Sequence, residues 1–153
     1  MYIVSWKEIN DWPIKEAGLP LRIVNLASKL GINNIGSLQQ ATQNKKIKGL
    51  GIESQKKLTF FWKLCETIIN GKQPFNDIDS CINFLLSKSQ MEIIAYRYVL
   101  HENIIGGRIK TLEETAKIKN ISRERTRQIE KSATKILRSK IATLCLMPFY
   151  AHF

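Results

Sequence analysis

The sequence predicts an all-α protein built as two small helical modules, and three observations carry that reading. Apolar residues recur at three- and four-residue intervals in stretches bounded by capping residues, the pattern of helices buried along one side. One stretch, Gly71–Asp79 (GKQPFNDID), collects Gly, Pro, Asn and Asp and reads as a linker. The charge is also divided: Lys15–Lys72 holds ten basic and three acidic residues, Gln73–Lys110 four of each, and Thr111–Lys140 nine and four. A length of 153 residues suits one domain or two small ones. This division puts residues 1–72 in the first module, including an N-terminal arm, and residues 80–153 in the second, which ends in an apolar tail.

In chain order, residues 1–19 carry Trp6 and Trp12 around a polar stretch, then Pro13 and Gly18. They read as a brief helix or arm whose aromatics dock on the next unit. LRIVNLASKLGI places Leu21, Ile23, Val24, Leu26, Ala27 and Leu30 at helical spacing before a Gly31 stop. INNIGSLQQAT is a short helix through Leu38 and Ala41, with Asn34 or Ser37 as its cap. Gly49 to Gly51 form a Gly-Leu-Gly turn into a long helix that ends near Asn70 and Gly71. A turn of that kind presents the backbone N–H groups of a helix start, which suit a phosphate.

This block resembles the C-terminal domain of the RNA polymerase alpha subunit. LPLRIVNLASKLGINNIGSLQQAT is similar to that family's L-x-x-R-x-x-N pattern, short turn and IGDL word, and GLGIESQKKL is similar to its NLGKKSLxEI. The resemblance implies a helix-hairpin-helix-like bundle over about residues 14–71. It also implies minor-groove DNA binding, with Arg22, Asn25, Gly51 and Ser54 at the DNA-contacting positions. Gly49 stands where that family has Asn, and Ile52-Glu53 where it has two lysines. Glu53 would repel phosphate, although Lys56 and Lys57 come a turn later. The other reading of the same bundle is a protein-docking module.

After the linker, Asp79 or Ser80 is expected to cap a helix through Cys81, Phe84, Leu85 and Leu86. Ser87–Gln90 starts the next helix, over Met91–Leu100, and Asn103–Lys110, with Gly106 and Gly107, reads as a loop. Thr111–Lys140 then reads as two helices joined by a tight turn. Thr111 caps the first, which carries Glu113 and Glu114 where the helix dipole favours carboxylates and runs through Leu112, Ala116 and Ile118 to about Lys119. Asn120 tolerates the turn, Ile121 plugs the angle, and Ser122 caps the second helix. Thr126, Ile129, Ala133, Ile136 and Leu137 form one stripe of that helix. Glu124, Arg127, Gln128, Lys131 and Lys135 fall on the opposite face, with Arg123 at its edge and Arg125 on its flank. Arg, Gln and Glu are base-reading residue types, and the first turns of a recognition helix are where they act. Spacing alone leaves a solvated basic helix face equally open.

The words TLEETAKIKNISRERTRQIEKSATKIL resemble region 4 of the sigma-70 family of bacterial RNA polymerase factors, whose usual form is TLEEVGKxFxVTRERIRQIExxALxKLR. MEIIAYRYVLHE (Met91–Glu102) resembles the helix before it, so the resemblance spans about residues 80–140. It implies a helix-turn-helix in which Arg123, Glu124 and Gln128 read bases of the minus-35 promoter element. It places Arg125 and Arg127 near phosphates, and Arg97 and Thr111 on the DNA backbone; Lys131 joins that phosphate set. Thr126 in place of an apolar residue, Thr115-Ala116 in place of Val-Gly and Val99 in place of Gly depart from the family, and looser packing is expected there.

The formal net charge of +11 and a pI near 9.7 favour a polyanionic partner, nucleic acid before membrane, since no segment is long and apolar enough to span a bilayer. Cys65, Cys81 and Cys145 are odd in number and widely spaced, which argues for reduced thiols rather than a disulfide frame or a zinc site. His101 and His152 have no metal-binding neighbours in sequence, and residues 1–13 lack the apolar core of a signal peptide. Ile141–Phe153 has no charged side chain, carries Pro148 as a helix stop, and is expected to fold back on a core. The chain is too short to hold the sigma region that melts the minus-10 element. The resemblances imply a cytoplasmic, nucleoid-associated bacterial transcription regulator whose partners are double-stranded DNA and RNA polymerase, the latter through its beta flap. No cofactor, metal, small-molecule substrate, membrane partner or enzymatic activity is expected. The alternative is a polymerase-binding module that competes with sigma without reading DNA.

Overall fold

Side-chain caps and glycine turns divide the residues that the computed structural model describes, 4–44, 47–98 and 109–150, into ten helices. These are α1 (Trp6–Asn10), α2 (Ile14–Ala17), α3 (Leu21–Lys29), α4 (Ile35–Gln43), α5 (Ile52–Ile69), α6 (Ile78–Leu85), α7 (Lys88–Tyr98), α8 (Leu112–Lys119), α9 (Arg123–Leu137) and α10 (Lys140–Tyr150). Among the described residues the sole extended pairing is an isolated bridge between Pro13 and Asn34. The expected all-α class therefore holds. Two compact units result: Asp77–Arg138, and the chain up to Asn76 together with the segment from Ser139.

The first unit is built from α1 to α5 and α10. Ser5 and Glu8 cap α1 reciprocally, with the Ser5 N–H donating to Glu8 at 2.8 Å. The backbone of Ile35 donates to the Trp12 carbonyl, and that of Ile14 to the Asn33 carbonyl, both at 3.0 Å. These bonds fasten the start of α4 to the segment between α1 and α2. Trp12 is buried there, so the N-terminal arm is part of the fold. Asn34 caps α4 by accepting from the Ser37 N–H at 2.8 Å, which decides between the two expected caps. Gly31, at φ 70°, ends α3, while the Ile32 N–H closes back on the Ala27 carbonyl at 2.9 Å. The core gathers Ile9, Ile14, Ile23, Ile35, Leu38, Leu58 and Cys65. Leu21 and Leu30, expected on the apolar face of α3, are instead exposed. They lie on the flank, whereas Ile23 and Ala27, four residues apart, take the centre of the buried stripe.

The second unit holds α6 to α9. Asp77, rather than Asp79 or Ser80, caps α6, because its carboxylate accepts both the Ser80 N–H at 2.7 Å and the Ser80 hydroxyl at 2.9 Å. Those two bonds hold the Asp77 carboxyl below its ordinary pKa. Ser87 and Gln90 exchange hydrogen bonds at the start of α7. Leu86, Ile94 and Ala133 form the core, with Ile82, Met91, Ile136 and Leu137 packed on it. Residues 99–108, which include Val99, His101 and the Gly106–Gly107 loop, lie outside the described residues, as does His152.

The sequence places the apolar tail in the second module, but Ser139 onward belongs to the first unit, where α10 packs against α2 and α5. Ile141, Ala142, Cys145 and Leu146 are all buried. The stripe was legible from spacing, but which core it would enter was not. The stripe of α9 is already packed on α7 and α8. Pro148 does not stop this helix, which runs on to Tyr150. Its missing N–H removes one bond so close to the end that the last turn survives. All three cysteines are buried as thiols outside any disulfide, and burial pushes the Cys65 thiol up to about 12.

Gly18 lets the tail seat. Its φ is +100°, and a Cβ there would lie 2.5 Å from Ser139 Oγ and 2.6 Å from Ile141 Cγ2. Gly18→Ala is expected to destabilise the protein by about 2 kcal/mol or more, combining left-handed strain with overpacking. A denaturant-unfolding midpoint equal to that of the parent chain would show that the tail does not depend on this close approach.

Candidate nucleic-acid interface

Local chemistry along α8, the turn and α9 sets up a helix-turn-helix. Thr111 and Glu114 form a capping box at α8, with the Thr111 N–H donating to Glu114 at 2.7 Å. Asn120 takes the left-handed conformation at φ 53° and ψ 47°, and the Ile121 N–H returns to the Ala116 carbonyl at 3.1 Å. Ser122 then caps α9 by accepting the Arg125 N–H at 3.1 Å. Thr111, Asn120 and Ser122 have the roles expected from sequence.

The departures in the stripe do not loosen the packing. Thr115 and Thr126 are fully buried, and their hydroxyls donate to the Thr111 and Ser122 carbonyls one turn earlier, at 2.9 and 3.1 Å. With each hydroxyl satisfied locally, the methyl group is left to fill apolar space. Ala116 and Ala133 are buried beside them, while Ile118 is exposed.

Opposite the stripe, Arg123, Glu124, Arg125, Arg127, Gln128, Lys131 and Lys135 are all exposed. Arg123 to Lys131 covers about 12 Å of helix at 1.5 Å per residue, comparable to the major-groove width. Three of these side chains are organised. Arg127 donates to both Glu124 oxygens, at 2.8 and 2.7 Å, and Gln128 Nε2 donates to Glu124 Oε1 at 3.2 Å. The Arg127 bonds, with smaller help from Gln128 and the nearby Arg123 charge, hold the Glu124 carboxyl down to about 2. Glu124 therefore presents a fixed acceptor at neutral pH.

Thr111 is exposed at the start of α8, as a backbone-contacting residue would be. Arg97 is not presented in that way. Its Nε forms an ion pair with Glu130, its Nη1 donates to the Lys110 carbonyl at 2.6 Å, and its side chain retains 20% exposure. The Lys110 N–H returns to the Arg97 carbonyl at 3.0 Å, and the Tyr98 hydroxyl donates to Glu130 at 2.7 Å. Arg97 thus ties the end of α7 to α9 and to the residue before Thr111, a supporting role that the sequence did not indicate. Two further ties were missed from sequence. Lys119 pairs with Glu92 and lies 5.8 Å from the centre of the Tyr96 ring, and Gln90 donates to Ser132 at 2.9 Å. A signal for Glu130 did exist, because position 130 is one turn from both Thr126 and Ala133. A carboxylate in a buried stripe requires a partner.

In the first unit, Arg22 and Asn25 are exposed on α3 and line a groove of about 440 Å³ with Leu21, Leu26, Lys29 and Gly49. Gly51 caps α5 beside Arg22, and Ser54 is buried in its first turn. Of the four residues expected there, Arg22 and Asn25 line the groove and Gly51 lies beside Arg22, while Ser54 is buried and not in the lining. Among the described residues no cluster of His, Cys, Asp and Glu could hold a metal ion, and no helix is long and apolar enough to cross a membrane.

Arg97→Ala should cost about 2 kcal/mol, between the roughly 0–1 of an exposed ion pair and the roughly 3–5 of a broken buried one. An unchanged unfolding midpoint would remove its supporting role. Glu124 should titrate near pH 2 by NMR. A lowered folded pKa makes the helical contribution of this pair present above the ordinary carboxylate range and lost as pH falls through about 2. Arg127→Ala should return the titration toward the ordinary value; a Glu124 pKa that does not move would exclude Arg127 as the cause.

Comparison with curated proteins and with solved structures yields no match. Residues 85–139, about a third of the chain, match the family model of sigma-70, region 4, a DNA-binding helix-turn-helix domain associated with RNA polymerase and transcription.

Proposed function

We propose that the protein is a promoter-binding transcription regulator that acts with bacterial RNA polymerase, and that α9 reads a minus-35-like element in the major groove. The observation that carries this is the exposed set Arg123, Glu124 and Gln128 in the first two turns of a capped helix whose opposite side is packed on α7 and α8. Arg donates to guanine, Gln pairs with adenine, and Glu accepts from cytosine. Arg125 and Lys131 extend from the same exposed side as phosphate contacts, and Thr111 supplies another at the start of α8. Arg127 serves twice: it braces Glu124 and brings charge toward the backbone.

For the first unit, the alpha C-terminal-domain resemblance is supported by the order of α3, α4, the Gly49–Gly51 turn and α5, with Arg22 and Asn25 beside that turn. One observation favours the rival reading, a polymerase-bound module without specific readout. Both Glu124 oxygens already accept hydrogen bonds within the helix, so a face satisfied internally could give general DNA affinity alone.

Selection of bound duplexes from a random pool at near-physiological salt separates the two. A TTGACA-like motif that blurs with Glu124→Ala or Gln128→Ala is the expected result, with about 1–3 kcal/mol of discrimination lost per base contact. Arg125→Ala or Lys131→Ala should weaken all duplexes alike and flatten the salt slope by about one unit. A bound pool with no enriched motif, alongside retained polymerase binding, would instead establish the competitor.

A further inference from the structure

The groove on α3 has a character that the DNA-reading unit does not share. Its lining combines two cations, Arg22 and Lys29, with two leucines, Leu21 and Leu26, along one side of a helix and against Gly49. A Cβ built at Gly49 would touch Leu26 Cδ1 at 3.9 Å, and one at Gly51 would lie 4.0 Å from Arg22 Nη2. These distances seat the turn directly over α3. The Gln55 amide donates to the Leu50 carbonyl at 3.0 Å and closes the turn from the other side. No carboxylate among the described residues pairs with Arg22 or Lys29.

Exposure of the large aliphatics decides what kind of surface this is. Leu21 is 66% exposed on the groove lining, and Ile52, next in chain to Gly51, is 71% exposed. Such side chains gain by docking only where the partner also brings apolar surface. A sugar-phosphate backbone offers little of that. Glu53, exposed beside Ile52 and paired with Lys56 at 3.3 Å, puts a carboxylate rather than a free cation at the start of α5, and Ser54 is buried and not among the groove-lining residues.

We propose that this groove docks an acidic amphipathic helix of a protein partner. Arg22 and Lys29 are seven residues apart, two helical turns or about 10.5 Å, with Asn25 and Leu26 between them on the same side. A helix carrying carboxylates seven residues apart, with leucines at the intervening positions, places its charges on the two cations and its apolar row on Leu21 and Leu26. That is helix-in-groove recognition with charge fixing the register. The excess of basic over acidic residues in Lys15–Lys72 steers such a segment toward the first unit. The inference concerns the first unit alone and stands independently of promoter readout by α9.

The test uses the full chain and a fluorescein-labelled 18-residue peptide with glutamates seven apart and leucines between, read by anisotropy. Comparison probes are a scrambled peptide of the same composition, a version with lysine for each glutamate, and labelled A·T-rich and G·C-rich duplexes. We expect the acidic probe to bind with micromolar Kd, at least tenfold tighter than either control peptide. Leu21→Ser and the double substitution Arg22→Glu, Lys29→Glu should each weaken it at least tenfold without moving the unfolding midpoint, since all three side chains are exposed. Duplex binding should be unchanged by Leu21→Ser. Equal binding of acidic and scrambled probes would overturn the proposal, as would equal binding by parent and groove variants. Loss of the peptide on Arg123→Ala instead would place the site on the recognition helix. Duplex affinity that falls with Leu21→Ser, without peptide binding, would assign the groove to nucleic acid.

Discussion

The ion pair between Arg97 and Glu130 is the contact on which the unit of α6 to α9 depends. One guanidinium reaches Glu130 of α9 and the Lys110 carbonyl, just ahead of the Thr111 cap of α8, so it joins three elements at once. The pair is largely shielded from water, and Tyr98 shares the Glu130 carboxylate through a hydrogen bond and lies 5.7 Å from the Arg97 guanidinium. A charge so placed must remain paired, because an orphaned carboxylate in the stripe would carry its full desolvation penalty. The angle at which α9 meets α7 is therefore constrained by electrostatics as well as by the small core of Leu86, Ile94 and Ala133.

Around that contact, many polar groups are satisfied within a turn of their own position. Thr115 and Thr126 bond back to carbonyls four residues earlier, and Ser122, Thr111 and Ser87 cap the helices they precede. Such local satisfaction explains how α8 and α9, each with a buried threonine, still pack well. On the outer face of α9, Arg123, Arg125, Lys131 and Lys135 are exposed, and Glu124, Arg127 and Gln128 bond to one another.

The first unit uses its residues differently. It draws its core from both ends of the described chain, since α10 buries Ile141, Ala142, Cys145 and Leu146 there. Gly18 at φ +100° admits Ser139 and Ile141 at a distance no larger residue allows. Ser139, itself buried, accepts the Ala142 N–H at 3.3 Å and so starts the helix it helps to seat. Of the apolar groups left outside this core, Leu21 and Leu30 lie on α3 near Arg22 and Lys29, and Ile52 lies at the start of α5 beside Glu53.

Features governed by near neighbours were legible in the sequence. Thr111, Asn120 and Ser122 mark the limits of α8 and α9, because capping and left-handed turns depend on residues within one turn. The exposed charged face of α9 came from helical period alone. The class was legible too, through periodicity, and the region-4 likeness through its LEE, RER and RQIE words. The tertiary structure decided what depends on distant partners. Arg97 reads as a free cation until Glu130 and the Lys110 carbonyl are brought to it from other elements. Leu21 reads as core until Ile23 and Ala27 take the buried side of α3, and the apolar tail fits either unit by composition. Hydrophobic burial is not directional and carries no address, so only the completed packing determines which apolar stripe closes on which core.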